Sequence, residues 1–571
     1  MKGKRPTKYP HVEMAARYAK DVVAGKVLAC KWVRLACKRH IADLKRARTK
    51  AYPFKFDAAR AERACRFAEL LPHVKGQWAA RSERIVLQPH QCFRRSMKFG
   101  WVEKATGHRR FRKSYEEVPR KNAKSTDAAI DGLYLFADDG EYGAEVYSGA
   151  TSEKQAWEVF RPARWMAERT PEFREHYGVE VNAKSLTVLE NGSRFEPVIG
   201  KPGDGSSPSM AIVDEYHEHP DSTLYDTMET GMGARQQPML YVITTAGEDI
   251  AGPCYALRDR VCKMLDGAKD DQLFGIIYTI DEKDDWTTEE ALRKANPNYD
   301  VSVDGGFLRE QQRAAIADPA KQNVFKTKHL NVWCSSRAPW MNMEKWHACG
   351  DTKLSEEEFI GMPCWMAVDL ANRQDIIAQT KVFLRTLEGQ RHYYLFGRYY
   401  CPEASVQDPA KRHYQKWFYL GHLVQTPGND AHLAANEREP EPGLFDHIRE
   451  DRERFDIQVC RYDPWNSLGL QGALDEMGIL RLEHPQTVGN FTEAMKEIKA
   501  AVDEGRFHHN ANGCMDWMMS NVTVKPDAKD NVFPRKDTPD KKIDGPVAAI
   551  MCVEAARAQP VASSELAVDF V

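Results

Sequence analysis

Short runs of apolar residues alternate with helix-like stretches between residues 81 and 345 of the chain. Two of these runs, at 210–213 and 241–243, are followed by acids or hydroxyl-bearing residues. Short apolar runs bounded by polar residues are typical of strands buried in a parallel sheet. The alternation therefore predicts a parallel sheet flanked by helices, and such sheets bind their ligands at the carboxyl ends of the strands.

Three further apolar segments follow in the C-terminal part of the chain, and each carries an acid. Asp369 lies within the strand candidate 365–370, Asp463 ends a second apolar strand candidate, and Asp544 precedes the helix-like run 547–557. A carboxylate inside an apolar strand is costly to bury unless it is paired or binds a metal. Asp544 is equally well explained as a helix N-cap and Asp463 as a turn residue before proline. The residues alone therefore predict only an acidic metal site.

Residues 118–126 read Val-Pro-Arg-Lys-Asn-Ala-Lys-Ser-Thr, a possible phosphate-binding loop. Such a loop needs a lysine that reaches the terminal phosphates and an adjacent hydroxyl that holds Mg²⁺. Lys124 and Ser125 have these properties. The common form of the motif has glycine at both ends, where this chain has Val118 and Ala123, and a basic stretch is more often a solvated surface. Taken alone, the segment leaves both interpretations open.

Three other candidates occur in the order that a nucleotide site requires. Asp214 ends an apolar run and is suited to hold Mg²⁺, and the adjacent Glu215 is suited to orient a water molecule. Upstream, the amide of Gln91 can donate to and accept from an adenine edge. Downstream, Thr244 follows an apolar run and is suited to sense a γ-phosphate. Each residue has an ordinary structural explanation by itself, but together they predict a nucleoside triphosphatase.

The segments 119–125, 211–217 and 243–247 resemble the large terminase subunit of tailed bacteriophages, the motor-nuclease that packages DNA. That family carries an early arginine in the loop and lacks the first glycine, which matches Arg120 and Val118. The resemblance extends over most of the chain, from about residue 87 to residue 558.

One residue departs from the family pattern, because Ala123 stands where glycine is usual. A methyl group there disfavours a left-handed backbone and is expected to narrow the phosphate site. This departure is expected to weaken nucleotide binding without abolishing it.

The resemblance implies that ATP binds together with Mg²⁺ in the N-terminal domain. The implied nucleotide contacts are Gln91, Arg120, Lys121, Asn122, Ala123, Lys124, Ser125, Thr126, Asp214 and Thr244. Ser125 and Asp214 are expected to hold the Mg²⁺ ion, and Glu215 to orient the attacking water. Arg120 is the implied cation for the transition state, with Arg235 as a weaker candidate.

The resemblance also implies a ribonuclease H-like nuclease domain in the C-terminal half. Asp369, Asp463 and Asp544 are then the ligands of two Mg²⁺ or Mn²⁺ ions, of which one activates water and the other stabilises the leaving oxygen. Asp375, in the turn after the first nuclease strand, is a lesser candidate. The implied fold class is α/β throughout, a P-loop NTPase domain followed by this nuclease domain.

Chain length agrees with several domains, because 571 residues exceed the roughly 250–300 that a single core usually reaches. We expect a basic helical N-terminal arm at 1–80, an ATPase domain at 81–345, a linker at 346–360 and a nuclease domain at 361–571. The thirteen cysteines are scattered without a C-x-x-C pair, which favours neither a zinc site nor a disulfide framework.

The net charge of −2, from 81 basic and 83 acidic residues, excludes a uniformly basic DNA-binding surface. Two local basic patches remain as candidates. Fifteen of the first 50 residues are Lys or Arg against three acids, which fits either a solvated helix face or contact with DNA or a partner subunit. The second patch lies near Asp544, where cations can guide phosphates. It consists of Lys525, Arg535, Lys536, Lys541 and Lys542.

The function implied by the resemblance is ATP-driven translocation of double-stranded DNA into a procapsid, with metal-dependent cleavage of concatemeric DNA. The implied partners are DNA, the portal protein, the terminase small subunit and further copies of the chain in a ring. The chain has no run of 18 apolar residues, and we expect it in the cytoplasm of the infected host and not in the mature virion. The alternatives are a helicase-nuclease of repair or restriction, and a nucleotide-dependent DNA-binding scaffold without cleavage.

Overall fold

The computed structural model divides the chain into two compact units, Met1–Cys334 and Ser335–Val571. It describes residues 8–199, 205–250, 252–334, 340–370, 375–408, 411–429, 433–434, 442–465, 467–524, 531–536 and 541–558. The division falls before the boundary expected at 345. Residues 346–360, expected as a linker, belong to the second unit, where the side chains of Trp346 and Phe359 are fully buried.

The first unit contains ten strands and thirteen α-helices in its described part. The strands are β1 Phe54–Phe56, β2 Trp101–Glu103, β3 Lys113–Glu117, β4 Glu145–Ala150, β5 Val179–Val181, β6 Leu186–Val188, β7 Ser193–Ile199, β8 Met210–Asp214, β9 Met239–Thr244 and β10 Leu273–Ile277. The helices are α1 Pro10–Val23, α2 Lys31–Arg46, α3 Ala58–Leu70, α4 Gly76–Ala80, α5 Pro89–Gly100, α6 Lys124–Ala137, α7 Glu153–Glu168, α8 Pro171–Tyr177, α9 Thr223–Gly231, α10 Pro253–Leu265, α11 Glu289–Ala295, α12 Gly305–Ala317 and α13 Pro319–His329.

An eight-stranded sheet forms the centre of this unit, in the order β10-β3-β9-β8-β4-β7-β6-β5. The six strands from β10 to β7 are paired in parallel, and β6 runs antiparallel to both of its neighbours, β7 and β5. The parallel sheet predicted from the apolar runs is therefore confirmed. Because β3, β9 and β8 are adjacent, their carboxyl ends lie side by side at one edge of the sheet.

The segment expected as a separate basic arm is part of the first unit over its described residues, 8–80. Helices α1 and α2 bury their apolar faces in the same core cluster as the sheet. Some of the basic side chains fix this packing, since Lys31 pairs with Asp266 and Arg34 with Asp281. These cations therefore help to hold helices on the domain. Three of the basic residues lie outside the described part, namely Lys2, Lys4 and Arg5.

The second unit contains seven strands and eight α-helices in its described part. The strands are β11 Pro363–Asp369, β12 Ile377–Leu387, β13 Gln390–Pro402, β14 Val424–Thr426, β15 Asp456–Tyr462, β16 Arg481–Glu483 and β17 Phe507–His509. The helices are α14 Met343–Ala348, α15 Glu403–Val406, α16 Arg412–Tyr419, α17 Leu444–Arg454, α18 Leu468–Glu476, α19 Val488–Asp503, α20 Gly513–Asn521 and α21 Asp544–Arg557.

The sheet of the second unit is mixed, in the order β14-β13-β12-β11-β15-β16, with β17 paired to β13. Strands β11, β12 and β13 form an antiparallel meander, whereas β15 pairs in parallel with β11. Helix α21 is almost entirely buried and packs against β11, β12 and β15. The predicted α/β fold class is confirmed for both units.

A buried cluster of six charged side chains joins α5, β3 and α6 in the first unit. Its members are Arg94, Arg95 and Lys98 on α5, Glu116 on β3, and Asp127 and Asp131 on α6. Each side chain is at most 4% exposed. Lys98 Nζ lies 2.7 Å from Glu116 Oε1 and 2.6 Å from Asp131 Oδ2. Three cations thus balance three carboxylates in a setting that solvent screens little.

This charge cluster predicts a large effect for Lys98→Met. The change leaves buried negative charge without its partner, and we expect the free energy of unfolding of the first unit to fall by about 3–5 kcal/mol. Urea denaturation followed by circular dichroism measures the effect. Lys263→Met is the matched control, because Lys263 is exposed and pairs with Asp259 on the surface, and it should cost at most about 1 kcal/mol. Equal destabilisation by both variants would contradict the role of the cluster.

Candidate nucleotide and nuclease sites

The candidate phosphate loop lies between β3 and the start of α6, at the edge of the parallel sheet. Two of its residues have left-handed backbone, Lys121 with φ 69° and Ala123 with φ 63°. The methyl group of Ala123 was expected to disfavour this conformation, yet Ala123 adopts it, at a cost of about 1–2 kcal/mol. Lys124 begins α6 directly afterwards, so the loop ends at a helix N-terminus, where backbone N–H groups favour anions.

Asn122 anchors the loop to a distant segment of the same unit. Its Nδ2 donates to Asn296 Oδ1 at 2.8 Å and to Pro119 O at 3.2 Å, and its Oδ1 accepts from Asn298 N at 3.0 Å. The residue is fully buried. Its side chain, predicted to contact nucleotide, therefore faces the protein and fixes the path of the loop.

Lys124 and Glu215 face each other at the carboxyl edge of the sheet. Lys124 Nζ lies 2.9 Å from Glu215 Oε1, and the lysine side chain is only 8% exposed. Within the described part of the chain, this Nζ finds no hydrogen-bond acceptor in good geometry, so the contact is ionic. A buried ammonium in this state suits the binding of a phosphate group.

The pKa values of the neighbouring residues Asp214 and Glu215 are shifted in opposite directions. Burial and the charge of Glu215 raise the pKa of Asp214 to about 7. Burial also opposes ionisation of Glu215, but Lys124 and His217 outweigh it and lower the pKa of Glu215. Asp214 is thus short of compensating positive charge. The Asp214 carboxylate and the Ser125 hydroxyl are oxygen donors of the kind that Mg²⁺ prefers.

A cleft of about 240 Å³ opens at this edge. It is lined by Arg120, Ser125, Gln155, Glu158, Asp214, Glu215 and Glu218. Four of the seven residues are acids, so phosphate groups can enter only together with compensating positive charge. The lining brings together Arg120, Ser125, Asp214 and Glu215, as the sequence predicted. Thr126 lies beside them in the first turn of α6.

Two other predicted residues have their polar groups engaged elsewhere. Gln91 Nε2 donates to Asp127 Oδ1 at 2.9 Å, and Gln91 Oε1 accepts from the backbone of Gln88, so neither end of the amide is directed to a base. Arg235 donates to the carbonyl oxygens of Ser207 and Gly143 and braces these loops. Arg120 therefore remains the better candidate for a transition-state cation.

The sequence did not single out His217 and Lys328, which connect three parts of the nucleotide site. Lys328 Nζ lies 3.1 Å from His217 Nε2, and His217 Nδ1 lies 3.0 Å from Thr244 Oγ1 and 3.3 Å from Glu215 Oε2. Burial and the charge of Arg120 lower the pKa of Lys328 to about 8, so it is mostly protonated at pH 7. An ammonium only donates, so Nε2 of His217 accepts and Nδ1 carries the proton. That proton is donated to Thr244 Oγ1, while Glu215 Oε2 is a close contact of Nδ1 that accepts no hydrogen bond within the described structure.

A signal for His217 was present, because it follows Glu215 by two residues in a motif already recognised. Lys328 gave no local signal, since it lies in the last turn of α13 among other basic residues, Lys326 and His329. Thr244, predicted to sense the γ-phosphate, is fully buried and accepts a hydrogen bond from His217 N at 3.1 Å. Its link to the cleft therefore runs through His217.

The second unit gathers the predicted nuclease acids at one edge of its sheet. Asp369 ends β11 and Asp463 immediately follows β15, and these strands pair in parallel, with Val368 opposite Tyr462. Asp544 is the first residue of α21, which packs on both strands. The N-cap position belongs to Ile543, so the explanation of Asp544 as a helix cap does not hold.

The charges of these carboxylates influence each other. Burial, followed by the charges of Asp544 and Asp463, raises the pKa of Asp369 well above its usual range. Burial and the charge of Asp375 raise the pKa of Asp544 to about 6. Asp375 in turn pairs with Lys542, Nζ to Oδ2 at 2.6 Å. Accumulated negative charge of this kind is relieved by a bound cation.

The carboxylates fit divalent metal in their chemistry, but they do not form a closed ligand set. Asp544 Oδ2 is buried and has no hydrogen-bond partner in the described structure, as an oxygen reserved for a metal would be. However, no group of three His, Cys, Asp or Glu side chains in the described ranges is close enough to hold one ion as it stands. Of the nearby cations, Lys536 lowers the pKa of Asp544 by its charge, and Lys525 lies outside the described residues.

The two units together have the architecture of an ATPase domain joined to a nuclease domain. Family models of the terminase large subunit match most of the chain, the ATPase domain at residues 89–263 and the endonuclease domain at residues 267–560. The chain belongs to the terminase large subunit family. The resemblance noted in the sequence is confirmed, and so are the ATP hydrolase and endonuclease activities of a phage DNA-packaging enzyme.

Two relatives and one solved structure show how similar the chain is to known proteins. Protein YmfN of Escherichia coli K12 is 41% identical over 362 residues, which cover 62% of this chain and 78% of that protein. The terminase large subunit of Enterobacteria phage HK97 is 24% identical over 453 residues, covering 77% of this chain and 86% of that protein. The crystal structure of the HK97 large terminase aligns with a TM-score of 0.43 at 22% identity, covering 87% of this chain and 99% of that one.

Family membership establishes that the protein uses a nucleotide and divalent metal and that it binds DNA. The matches give no support to a helicase-nuclease of repair or restriction, or to a scaffold without cleavage. Among the described helices, none is long and apolar enough to cross a membrane.

The geometry around His217 predicts a loss of ATP turnover in His217→Ala. Removing the imidazole breaks its hydrogen bond with Thr244 and takes away a polar contact of Glu215, and we expect kcat to fall about 10-fold, roughly the worth of one hydrogen bond. The KM for ATP should change little, and His217→Gln should restore part of the rate. Steady-state phosphate release measures both constants. His176→Ala, at an exposed position on α8, is the control, and an unchanged kcat in His217→Ala would refute the assignment.

Proposed function

We propose that the loop at 118–126 binds ATP with Mg²⁺. Hydrolysis of this ATP drives double-stranded DNA into a procapsid. The observation that carries this proposal is the pairing of Lys124 with Glu215 at the edge of the parallel sheet. Lys124 binds the terminal phosphates, Ser125 and Asp214 hold Mg²⁺, and Glu215 orients the attacking water. The bound Mg²⁺ supplies the positive charge that the acidic cleft lacks.

Lys124 has two competing anionic partners in this scheme. Its ammonium pairs with Glu215. The phosphates of ATP compete for the same ammonium, and Glu215 is then free to accept a hydrogen bond from water. His217 Nδ1 lies 3.3 Å from Oε2 of Glu215, on the side of the carboxylate away from Lys124, which contacts Oε1. Binding of the substrate therefore prepares the residue that activates water.

Arg120 is placed to offset charge on the transferred phosphoryl group. It lines the cleft, and its backbone N donates to Lys328 O at 3.0 Å, which fixes the start of its side chain. Thr244 responds to the γ-phosphate through its hydrogen bond with His217. Gln91 and Asn122 support nucleotide binding indirectly, by holding α5 and the loop in place.

We further propose that Asp369, Asp463 and Asp544 bind two Mg²⁺ or Mn²⁺ ions and cut both DNA strands with little sequence preference. The unpartnered Oδ2 of Asp544 and the raised pKa of Asp369 support this assignment. Two ions held by these residues would supply an activated water and stabilisation of charge on the leaving oxygen. The carboxylates must turn towards each other to complete the ligand set, and Asp375, which Lys542 holds nearby, is the candidate for a fourth ligand.

Family membership supports a wider assembly. We propose that the chain forms a ring of identical copies on the portal protein of the procapsid, and that the terminase small subunit delivers the DNA. This assembly would act in the cytoplasm of the infected host and leave before the virion matures. Electron microscopy of the chain mixed with portal rings tests the arrangement.

The nucleotide site predicts different defects for two variants. Lys124→Ala should lose both ATP binding and DNA-stimulated hydrolysis, because the phosphates lose their principal cation. Glu215→Gln should bind ATP but hydrolyse it at least about 100-fold more slowly, since the amide no longer orients water. Fluorescent nucleotide titration and phosphate release separate the two effects. Asp544→Ala serves as a control with normal ATPase activity, and wild-type rates in Glu215→Gln would refute the assignment.

The nuclease site predicts that Asp369→Ala, Asp463→Ala and Asp544→Ala each abolish cleavage of supercoiled plasmid in Mn²⁺. Each change removes a ligand and should weaken Mn²⁺ binding in calorimetry together with catalysis. ATP hydrolysis should continue, because the other unit performs it. Asp475→Ala is the matched control, since this acid lies on α18 and pairs with Arg481. Cleavage that survives in two of the three folded variants would place the metal site elsewhere.

A further inference from the structure

Two large apolar side chains are exposed directly beyond the nuclease acid Asp463. Trp465 is 76% exposed and Leu468 is 85% exposed. Tryptophan is highly buried in most folded proteins, because its large apolar surface is unfavourable in water. An exposed tryptophan beside a catalytic acid therefore calls for a binding partner.

Hydrogen bonds hold the described residues next to these two side chains. Trp465 N donates to Asp463 Oδ1 at 2.9 Å. Ser467 Oγ donates to Pro464 O at 2.9 Å, and Gln471 Nε2 donates to Ser467 Oγ at the same distance. Ser467 itself is buried. Trp465 and Ser467 are thus each tied to neighbouring residues by hydrogen bonds, and Leu468 is the first residue of α18.

The turn also fixes Trp465 close to the acid. Asp463 and Trp465 are two positions apart in the sequence, so their Cα atoms lie at most about 7 Å apart. Any DNA that is cut with the help of Asp463 must bring its scissile phosphate beside that carboxylate. The indole of Trp465 is then within reach of the sugars and bases next to the cut.

The position of Trp465 beside the nuclease acids favours DNA over a protein as the occupant. Lys536 acts on the nuclease acids by its charge, and Lys542 pairs with Asp375. Cations that attract phosphates and an aromatic ring that stacks on bases are the combination by which proteins hold nucleic-acid strands. A protein that covered Trp465 would also cover the carboxylates that DNA has to reach.

We propose that Trp465, with Leu468 beside it, is a DNA-contacting element of the nuclease site that packs on the bases or sugars next to the scissile phosphate. This inference rests on the proposed placement of Asp463 in the nuclease site. Trp465 positions the strand and takes no part in the chemistry. Stacking of this kind tolerates any base, which agrees with cleavage of little sequence preference.

The test compares plasmid cleavage by the full-length wild-type chain, Trp465→Ala, Trp465→Phe and Tyr419→Ala in Mn²⁺. We expect Trp465→Ala to raise the KM for DNA about 10-fold, the usual effect of losing one stacked base. Trp465→Phe should retain most of the affinity. Tyr419→Ala is the control, because Tyr419 is also 76% exposed in this unit but lies at the end of α16.

A second measurement detects the contact without cleavage. In an Asp544→Asn background, a duplex with 2-aminopurine near its centre should change fluorescence on binding, and adding Trp465→Ala should abolish that change. Wild-type KM and fluorescence response in the Trp465→Ala variants would overturn the inference. It would also be overturned if Trp465→Ala impaired packaging into procapsids but not cleavage of naked DNA, since the surface would then bind protein.

Failure of the nuclease assignment gives a different result. If Asp463→Ala still cleaved plasmid, the proposed metal site would be wrong whatever Trp465 does. If Asp463→Ala were inactive and Trp465→Ala were normal in both measurements, only the DNA-contacting role of Trp465 would be lost.

Discussion

Six buried charges in the first unit fix the frame on which its chemistry depends. The cluster links α5 to β3 and α6 by ion pairs. The phosphate loop connects β3 to α6. Each cation contacts two carboxylates, so that no single pair bears the whole cost of desolvation. Although burial opposes it, Arg94 and Arg95 lower the pKa of Asp127 to about 2, which keeps the acid ionised at any physiological pH. The distance between strand and helix is therefore set by electrostatics as well as by apolar packing.

Both units concentrate acids at the carboxyl edge of a sheet and leave them short of positive charge. In the first unit the deficit appears at Asp214, next to Glu215, and in the second at Asp369, next to Asp544. Parallel neighbours in a sheet bring such residues together from distant parts of the sequence. Under the proposed assignments the same arrangement would serve two reactions, because both involve phosphate oxygens and divalent cations. What differs is the remaining lining, a lysine loop in one unit and an exposed aromatic turn in the other.

Local patterns predicted the strands that carry Asp214, Thr244, Asp369 and Asp463, and the order of motifs predicted the family. These strands and the residues at their ends could be predicted because a strand and its terminal residue are adjacent in sequence. The side-chain partners of Asn122, Gln91 and His217 were not predictable, since they come from residues about 30 to 200 positions away. For the same reason the basic N-terminal helices were mistaken for an arm, as nothing local shows that Lys31 and Arg34 meet acids near α10 and β10.

The hydrogen bonds of Asn122 with Asn296 and Asn298 constrain how the sequence of this protein can evolve. In a glycine-rich loop the backbone can adopt left-handed conformations freely, whereas here Ala123 is held in one by its surroundings. The shape of the loop is therefore encoded partly at Asn296 and Asn298, far downstream. Descendants that alter either asparagine inherit a changed loop even though its own nine residues are intact. The loop at 118–126 and the segment around Asn296 and Asn298 should therefore evolve together, with substitutions in one accompanied by substitutions in the other.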